Sequence, residues 1–200
     1  MKSNGKIDRE TRRDQIAKAA LVIVGRDGVK GLTTAAIAKE VGISEAALYR
    51  HFKNKDDILL ETIEKIGSGL REKMQAVMSS PVPCIEKLKD NFLLNLEHIE
   101  ANVGIPRLVF SDQIHLDNDL LRERMLNNIN NHMTRLAEMI KQCQKDGTVR
   151  DDVDPKNSAL MLLGMIQTLA MKWSLTGCSF KLKEAGLELW NNYEQCIRKR

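Results

Sequence analysis

Hydroxyl, aromatic and basic side chains are concentrated between residues 32 and 58, in the segment LTTAAIAKEVGISEAALYRHFKNKDDI. Its apolar spacing predicts two short helices joined by a turn at Gly42, with a third helix starting near Asn54. Hydroxyl groups, lysine ammonium groups and helix amino termini all bind phosphate oxygens. The layout therefore predicts that the second short helix enters the major groove of DNA, with phosphate contacts on either side.

The charges of the chain are unevenly distributed. Residues 1–55 contain 12 Lys/Arg and 6 Asp/Glu, a net charge of +6, whereas residues 56–200 contain 19 and 21, a net charge of −2. A basic amino-terminal third favours a polyanionic partner at that end of the chain. A surface that is merely well solvated would give the same distribution, so charge alone leaves both interpretations open.

The whole sequence predicts an all-α fold. Aromatic residues make up only 4% of the chain and prolines number four, while apolar residues recur at helical spacing from end to end. Two hundred residues are enough for one or two domains with a packed core. The nine predicted helices cover residues 11–27, 33–41, 44–51, 55–78, 85–99, 106–113, 118–145, 155–176 and 182–197.

The helix predicted over residues 155–176 is apolar around most of its circumference. Such a helix must be buried on more than one side, and the second side is most simply a partner subunit. We recognise no signal peptide, and Gln167 and Thr168 interrupt the longest apolar stretch. We therefore expect a cytoplasmic protein without a membrane-spanning segment. In that reducing compartment, four widely spaced cysteines are expected to be free thiols, namely Cys84, Cys143, Cys178 and Cys196.

No motif for catalysis is recognised. The four histidines show no metal-ligand spacing such as HExxH, and the sequence contains no GxSxG, phosphate-binding glycine loop or Cys–His signature. We therefore expect that the protein is not an enzyme and uses no metal and no cofactor.

Residues 11–58 resemble the amino-terminal domain of the TetR/AcrR family of bacterial one-component repressors. The resemblance rests on an apolar first helix that ends in a DG turn, on the segments GLTTAAIA, VGIS and ALYRHFKNKDDIL, and on the long helix that follows. It implies a nine-helix TetR-like architecture. We expect a helix-turn-helix DNA-binding domain over residues 9–56, a connecting helix over about 55–78, and a ligand-binding and dimerisation domain over residues 57–200.

The resemblance also implies contacts with the DNA backbone. Thr33 and Thr34 would contact phosphate at the start of one helix, and Lys55 would do so at the start of another. Tyr49 and His51 would contact the backbone from the recognition helix. The complete set of candidate DNA-binding residues is Thr33, Thr34, Ser44, Glu45, Ala46, Tyr49, Arg50, His51, Lys53 and Lys55.

Residues on the groove-facing side of the recognition helix would recognise the bases. Arg50 would read guanine, Glu45 would accept from the amino group of cytosine, and Ala46 would meet a thymine methyl group. Ser44 lies beside them. Because long polar side chains are few here, DNA shape would also contribute to specificity.

Structural roles compete with these assignments. Tyr49 would instead be a packing residue, and Lys53 and Lys55 would be ordinary solvated charges. A basic stretch precedes the first predicted helix. We expect disorder rather than contact with a neighbouring groove for its residues Arg9, Arg12 and Arg13.

The methionine-rich carboxy-terminal part is expected to enclose a pocket for a largely apolar small molecule. Eight of the nine methionines follow residue 73, and methionine adapts to irregular apolar ligands, although ordinary core filling would use the same residues. Candidate lining residues are Phe92, Asn95, Leu96, Ile99, Phe110, Met125, Met133, Met165 and Trp173. Candidate polar anchors are Asn95, His98, Gln113 and His115.

Together these features predict a homodimeric repressor that an apolar effector releases from a palindromic double-stranded DNA operator. Helices 155–176 and 182–197 of each subunit would form the dimer interface. The effector would tilt the helix over 55–78 and change the spacing of the two recognition helices. Two alternatives stay open: a ligand-independent DNA-binding protein of the nucleoid-associated or division-control kind, and a transcriptional activator.

Overall fold

The computed structural model describes residues 8–116 and 118–199. These residues contain ten α-helices and no β-strand, which confirms the all-α prediction. A short 3₁₀ turn, Val29–Gly31, follows the first helix. The helices are α1 (Arg9–Asp27), α2 (Thr34–Val41), α3 (Glu45–Tyr49), α4 (Lys55–Met78), α5 (Cys84–Glu100), α6 (Gly104–Val109), α7 (Asp112–His115), α8 (Asp119–Lys145), α9 (Pro155–Leu175) and α10 (Leu182–Ile197).

One predicted helix is in fact two. Residues 106–113 were expected to form a single helix, but the chain leaves α6 at Phe110 and starts α7 after Ser111. Ser111 has an extended backbone, with φ −84° and ψ 146°, which ends the helical hydrogen-bond pattern. The break raises the number of helices from nine to ten in the described residues.

The basic stretch at the amino terminus belongs to α1. The carboxylate of Asp8 accepts hydrogen bonds from the backbone N–H groups of Glu10 and Thr11, which caps the helix. The helix therefore begins at Arg9, two residues before the predicted start at Thr11. The expectation of disorder was wrong for Arg9, Arg12 and Arg13.

Local signals explain the turn between α2 and α3. Thr33 Oγ1 accepts from the N–H of Ala36 at 3.1 Å, and Ser44 Oγ accepts from the N–H of Ala47 at 3.2 Å, so each helix has a side-chain cap. Between the helices, Gly42 has φ +74° and ψ 37°, a left-handed conformation that glycine adopts without steric cost. This turn sets the direction of α3.

Buried apolar side chains form two clusters. One lies among α1–α4 and includes Leu48 and Phe52, and Leu108 of α6 also belongs to it. The other lies among α5, α8, α9 and α10. Leu21 and Ile66 pack against both clusters. We propose a division into two domains near residues 56 and 57, with α4 contributing to both.

Helices α1 and α6 cross at two glycines. A Cβ atom at Gly104 would clash with the carbonyl oxygen of Leu21, and one at Gly25 would lie 3.0 Å from the nitrogen of Gly104. Beside the crossing, Arg107 Nη1 donates to the carbonyl oxygen of Gly25 at 2.6 Å. Because Ile105 of α6 belongs to the carboxy-terminal cluster, the crossing joins the two clusters through closely packed backbone.

Helix α9 is long and apolar enough to cross a membrane, judged by length and composition alone. This differs from the expectation that no segment could span a membrane, because Gln167 and Thr168 lower the hydropathy of the apolar stretch less than expected. A core helix of a soluble protein passes the same test. Here one side of α9 is buried in the fold, through residues that include Leu162, Ile166 and Trp173.

Two cysteines are paired. The expectation of free thiols was wrong for Cys84 and Cys143, which form a disulfide with their Cα atoms 5.1 Å apart. They are 59 positions apart in sequence and no CxxC motif marks them, so the pairing becomes visible only when α5 packs on α8. Cys178 and Cys196 are free, as expected.

Reduction of the disulfide should destabilise the fold. The bond closes a loop with a sequence separation of 59 residues, for which the chain-entropy account gives about 4 kcal/mol. We expect the midpoint of urea unfolding to fall when dithiothreitol is added. The double variant Cys84→Ala/Cys143→Ala is the control, because its midpoint should not respond to the reductant. Rapid alkylation of four thiols in the native, unreduced protein would contradict the pairing.

Candidate DNA-binding surface and ligand pocket

The outer side of α3 and its cap is exposed. Ser44, Glu45, Ala46, Tyr49 and Arg50 are all exposed to solvent. The opposite side is anchored in the amino-terminal cluster. Tyr49 is 53% exposed, which argues against the alternative that it is a packing residue. The helix therefore offers side chains that can enter a groove, and their contact with DNA stays a prediction.

The starts of α2 and α3 are connected by a side-chain hydrogen bond. Thr34 Oγ1 donates to Glu45 Oε2 at 2.8 Å, while the hydroxyl of Thr33 serves as the cap of α2. The bond holds the carboxylate of Glu45 beside Thr34. Two of the candidate contacts are therefore already paired with each other, a feature that sequence spacing did not reveal.

The start of α4 contributes the two lysines. Lys53 is exposed, and its backbone N–H donates to Asp57 Oδ2 at 3.1 Å. Lys55 is half-buried, and its Nζ donates to Gln113 Oε1 of α7 at 3.5 Å. Lys55 is therefore not simply a solvated charge. It joins the start of α4 to α7.

Arg13 has a structural role that the sequence analysis missed. Its Nη1 donates to the carbonyl oxygen of His51 at 2.7 Å, and its Nη2 forms an ion pair with Glu61 at 2.5 Å. The guanidinium lies 4.1 Å from the centre of the Phe52 ring. The three contacts attach the segment after α3 to both α1 and α4, so this arginine positions the recognition helix.

Positive charge accumulates beside the end of α3. The pKa of His51 is lowered by burial first, and then by the charges of Arg9, Arg12, Arg13 and Arg50. His51 is half-buried, and at neutral pH its imidazole is uncharged among these cations. Because α1 places Arg9 and Arg12 near this site, they are additional candidates for phosphate contacts.

A cavity lies among α4, α5, α6, α8 and α9. Its enclosed volume is about 140 Å³, which is smaller than the roughly 300–1,000 Å³ usual for small-molecule sites. Four predicted lining residues meet there, namely Asn95, Ile99, Phe110 and Met125. Most of the remaining wall is apolar, including Ile63, Ile105, Leu163 and Ile166.

Five predicted lining residues lie elsewhere. Phe92 stacks 5.9 Å from the Trp190 ring of α10, and Leu96 packs against Gly186 of the same helix. Trp173 Nε1 donates to the carbonyl oxygen of Phe180 at 2.9 Å. Helical periodicity identified these side chains as inward-facing but could not identify the helix they face. The residues outside the cavity are Phe92, Leu96, Met133, Met165 and Trp173.

The predicted polar anchors other than Asn95 also lie outside the cavity. His98 lines a separate groove among α1, α4 and α5. Gln113 accepts from Lys55, and His115 Nε2 is 2.9 Å from the carbonyl oxygen of Val109. Five other polar residues line the cavity and were not anticipated, because four of them occupy polar stretches of α4 and α8 and the fifth lies in the apolar helix α9. They are Arg71, Asn128, His132, Arg135 and Gln167.

His132 and Asn95 are both buried polar residues of the cavity wall, with 7% and 6% of their surfaces exposed. Asn95 Nδ2 lies 3.1 Å from His132 Nε2. Burial, and secondarily the charge of Arg135, lowers the pKa of His132 from 6.5 to about 4. The imidazole is therefore neutral at physiological pH. Across the described residues, no cluster of His, Cys, Asp or Glu side chains could hold a metal ion.

An exposed second helix in a helix-turn-helix unit, joined to a helical domain with an apolar cavity, defines a DNA-binding regulator. Residues 16–62 match the family described as "Bacterial regulatory proteins, tetR family". Residues 63–191, more than half of the chain, match "YsiA-like protein, C-terminal region". The chain belongs to the TetR family of bacterial regulatory proteins.

Individual proteins are similar to this chain over most of its length. The nucleoid occlusion factor SlmA of Vibrio atlanticus (strain LGP32) is 30% identical over 164 residues, which cover 80% of this chain and 82% of that protein. The regulator FadR from Bacillus subtilis in complex with stearoyl-CoA matches with a TM-score of 0.77 and 19% identity, over 90% of this chain and 96% of the other. A transcriptional regulator from Saccharomonospora viridis in complex with choline matches with a TM-score of 0.80 and 25% identity, over 96% and 100%.

Acidification should destabilise the protein through His132. The unfolded chain takes up this proton near pH 6.5 and the native protein only near pH 4. The unfolded state thus binds more protons between these values, and the free energy of unfolding falls as pH falls through the interval, by up to about 3 kcal/mol. We expect the urea midpoint to decrease between about pH 7 and about pH 4.5.

The variant His132→Gln should show a shallower decrease. Part of the slope should persist, because burial also lowers the pKa of His98. His115, which is exposed, provides the matched control His115→Gln. Identical slopes for the unmodified protein and His132→Gln would contradict the assignment.

Proposed function

We propose that the chain is a cytoplasmic, homodimeric repressor that a largely apolar small molecule releases from a palindromic operator. The observation that carries the proposal is the position of the cavity. Its walls include α4 and α6, and both helices also pack against α1 of the DNA-binding domain. A ligand in the cavity therefore contacts the elements that hold the recognition helix.

The route from cavity to DNA-binding domain has several defined contacts. Arg107 of α6 donates to the carbonyl oxygen of Gly25 in α1. Asn118 Nδ2 donates to Asp56 Oδ2 at the start of α4, at 2.8 Å. A ligand shifts the equilibrium between two arrangements only by its differential affinity for them. A preference of about 3 kcal/mol would change operator affinity roughly a hundredfold.

Apolar side chains on the outer faces of α9 and α10 support the dimer. Leu160, Met161, Met171 and Leu175 of α9 are exposed, and Leu175 is 80% exposed. Leu187 of α10 is exposed as well. TetR-family regulators bind DNA as homodimers. Two helix-turn-helix units at a fixed spacing gain affinity through effective concentration and match the symmetry of a palindrome.

The fold neighbours support a ligand-responsive role without naming the effector. One was solved with stearoyl-CoA and another with choline. These ligands differ in charge and size, so the fold alone does not determine which molecule is bound. The side chains around the cavity of this chain must determine it.

A second candidate function is ligand-independent DNA binding in division control. The relative from Vibrio atlanticus, a nucleoid occlusion factor, favours it. The two functions predict different occupancy of the chromosome. Chromatin immunoprecipitation should show a few sites near promoters for a ligand-responsive regulator, and many scattered sites for a division-control protein. The scattered pattern would overturn our proposal.

Two substitutions, one at the last residue of α3 and one at its C-cap, should separate backbone contact from base recognition. Tyr49→Ala should weaken binding to operator and to random duplex DNA alike, by about tenfold, because backbone contacts are independent of sequence. Arg50→Ala should remove about 1–3 kcal/mol of discrimination between operator and random DNA. Gel-shift titrations at fixed salt measure both effects, using the promoter regions of the chain's own and adjacent genes as operator candidates.

Arg150→Ala is the control for these variants, since Arg150 is an exposed arginine in the loop between α8 and α9. It should bind both DNAs with unchanged affinity. An equal loss on operator and random DNA for Arg50→Ala would contradict base recognition by that residue.

The dimer interface can be tested with two leucines of equal exposure. Leu160 on α9 and Leu126 on α8 are each 54% exposed. Leu160→Glu should convert the dimer to a monomer in sedimentation experiments at micromolar concentration, and should abolish operator binding, because it buries charges against an apolar surface. Leu126→Glu should remain dimeric. A monomeric unmodified protein, or dissociation by Leu126→Glu alone, would contradict an interface built from α9 and α10.

A further inference from the structure

One end of the ligand cavity carries unbalanced positive charge. Arg135 of α8 lines the cavity and forms no ion pair among the described residues. Its Nε atom is buried and has no hydrogen-bond partner. Glu138 is on the same helix but makes no ion pair with it. A partly buried guanidinium is energetically unfavourable unless an opposite charge pairs with it.

A second arginine reinforces the same end. Arg71 of α4 also lines the cavity, and its charge, after burial, lowers the pKa of Arg135. Glu64 is 3.2 Å from Arg71, but it is shared with Arg124 at 3.4 Å. Glu138 borders the groove beside Arg71 and Arg135 and also acts on Arg135, so two carboxylates stand against the three guanidinium groups of Arg71, Arg124 and Arg135. The excess charge is positive.

His132 adds a hydrogen-bond donor that has no acceptor. Asn95 offers its amide N–H₂ to Nε2 of this neutral imidazole, so the ring proton is on Nδ1. His132 Nδ1 is buried without a partner. His132 is one helical turn before Arg135 on α8, so the two side chains lie on the same face of the helix.

The rest of the cavity has the opposite character. Its wall consists largely of aliphatic side chains from five helices, among them Ile63, Ile105 and Leu163. Arg71 and Arg135 also border a surface groove that contains Met74 and Met139. The positive end is therefore located where the apolar cavity meets the surface of the protein.

We infer that the effector is an amphiphile with an apolar tail and an anionic head, whose head binds Arg71 and Arg135 while His132 donates a hydrogen bond to it. The inference rests on the proposed function, since it names the ligand class of the same cavity. Carboxylate and phosphate heads both fit two guanidinium groups and one neutral donor. A neutral or cationic head would leave the arginines without a counter-charge.

Calorimetric titration of the full-length dimer can test this with four probes that share a twelve-carbon chain. The probes are dodecanoate, dodecyl phosphate, dodecanol and dodecyltrimethylammonium, each kept below its micelle concentration. We expect at least one anion to bind about tenfold or more tightly than the alcohol, as charge-assisted hydrogen bonds require. The preferred anion identifies a carboxylate or a phosphate head.

Variants test whether Arg135 causes the tighter binding of the anionic probes. Arg135→Gln should weaken binding of the preferred anion about tenfold and leave dodecanol binding within about twofold. Arg135→Lys should restore part of the loss, because it keeps the charge. The matched control is Arg122→Gln, since Arg122 is on the same helix, exposed and paired with Asp119 at 2.7 Å. It should bind every probe normally.

Operator gel shifts with the same probes separate the two proposals. If an anion binds through Arg135 but does not affect the operator complex, the head-group inference holds and the proposed release mechanism fails. If dodecanol releases DNA as effectively as the anions, release holds and the head-group inference fails. Tighter binding of the cationic probe, or equal losses for all probes in Arg135→Gln, would also overturn the inference.

Discussion

Communication between the two halves of this protein depends on the crossing of α1 and α6. Gly25 and Gly104 allow two backbones to approach so closely that a Cβ at Gly104 would meet the carbonyl oxygen of Leu21. Where two backbones are in direct contact, no side chain can change rotamer to absorb a displacement. A shift of α6 therefore either moves α1 or is opposed by it. Because α6 also forms a wall of the cavity, this contact connects the ligand site to the DNA-binding domain.

The parts of the structure that the sequence predicted are those determined locally. The caps at Thr33, Ser44 and Asn54 and the turn at Gly42 depend on residues within about four positions of one another. The turn at Gly42 and the helix start near Asn54 were predicted from residue type and spacing, and the structure shows both. The caps at Thr33 and Ser44 are formed by equally local hydrogen bonds. Local hydrogen bonding thus explains why the helix-turn-helix unit could be recognised.

The ligand cavity was predicted less well, because its lining depends on which helices face each other. Phe92 and Leu96 have the inward position that their periodicity indicates, but they face α10 rather than the cavity. Arg71 and Arg135 occupy positions that a sequence pattern assigns to solvent. The disulfide between Cys84 and Cys143 was not predicted for the same reason, since it depends on the packing of two helices that are distant in sequence.

Helix α9 shows how one element can serve two environments. Leu162 and Trp173 are buried in the fold, whereas Leu160 and Leu175 are apolar and exposed on its other side. Composition alone makes such a helix resemble a membrane span. Its burial on one side and exposure on the other are the features that indicate a subunit interface.

The contacts of Arg13 limit how an effector can act on DNA. This side chain joins the segment after α3 to α4 through its contacts with His51, Phe52 and Glu61. These contacts favour movement of each DNA-binding domain as a rigid body over rotation of α3 alone. In a symmetric pair, the quantity left to vary is the separation of those two bodies relative to the pitch of B-DNA, about 34 Å. Release from DNA would then result from a mismatch between the spacing of the two domains and the helical repeat of DNA. The DNA-contacting surface of each domain would be unchanged, but the two surfaces would no longer align with successive turns of the duplex.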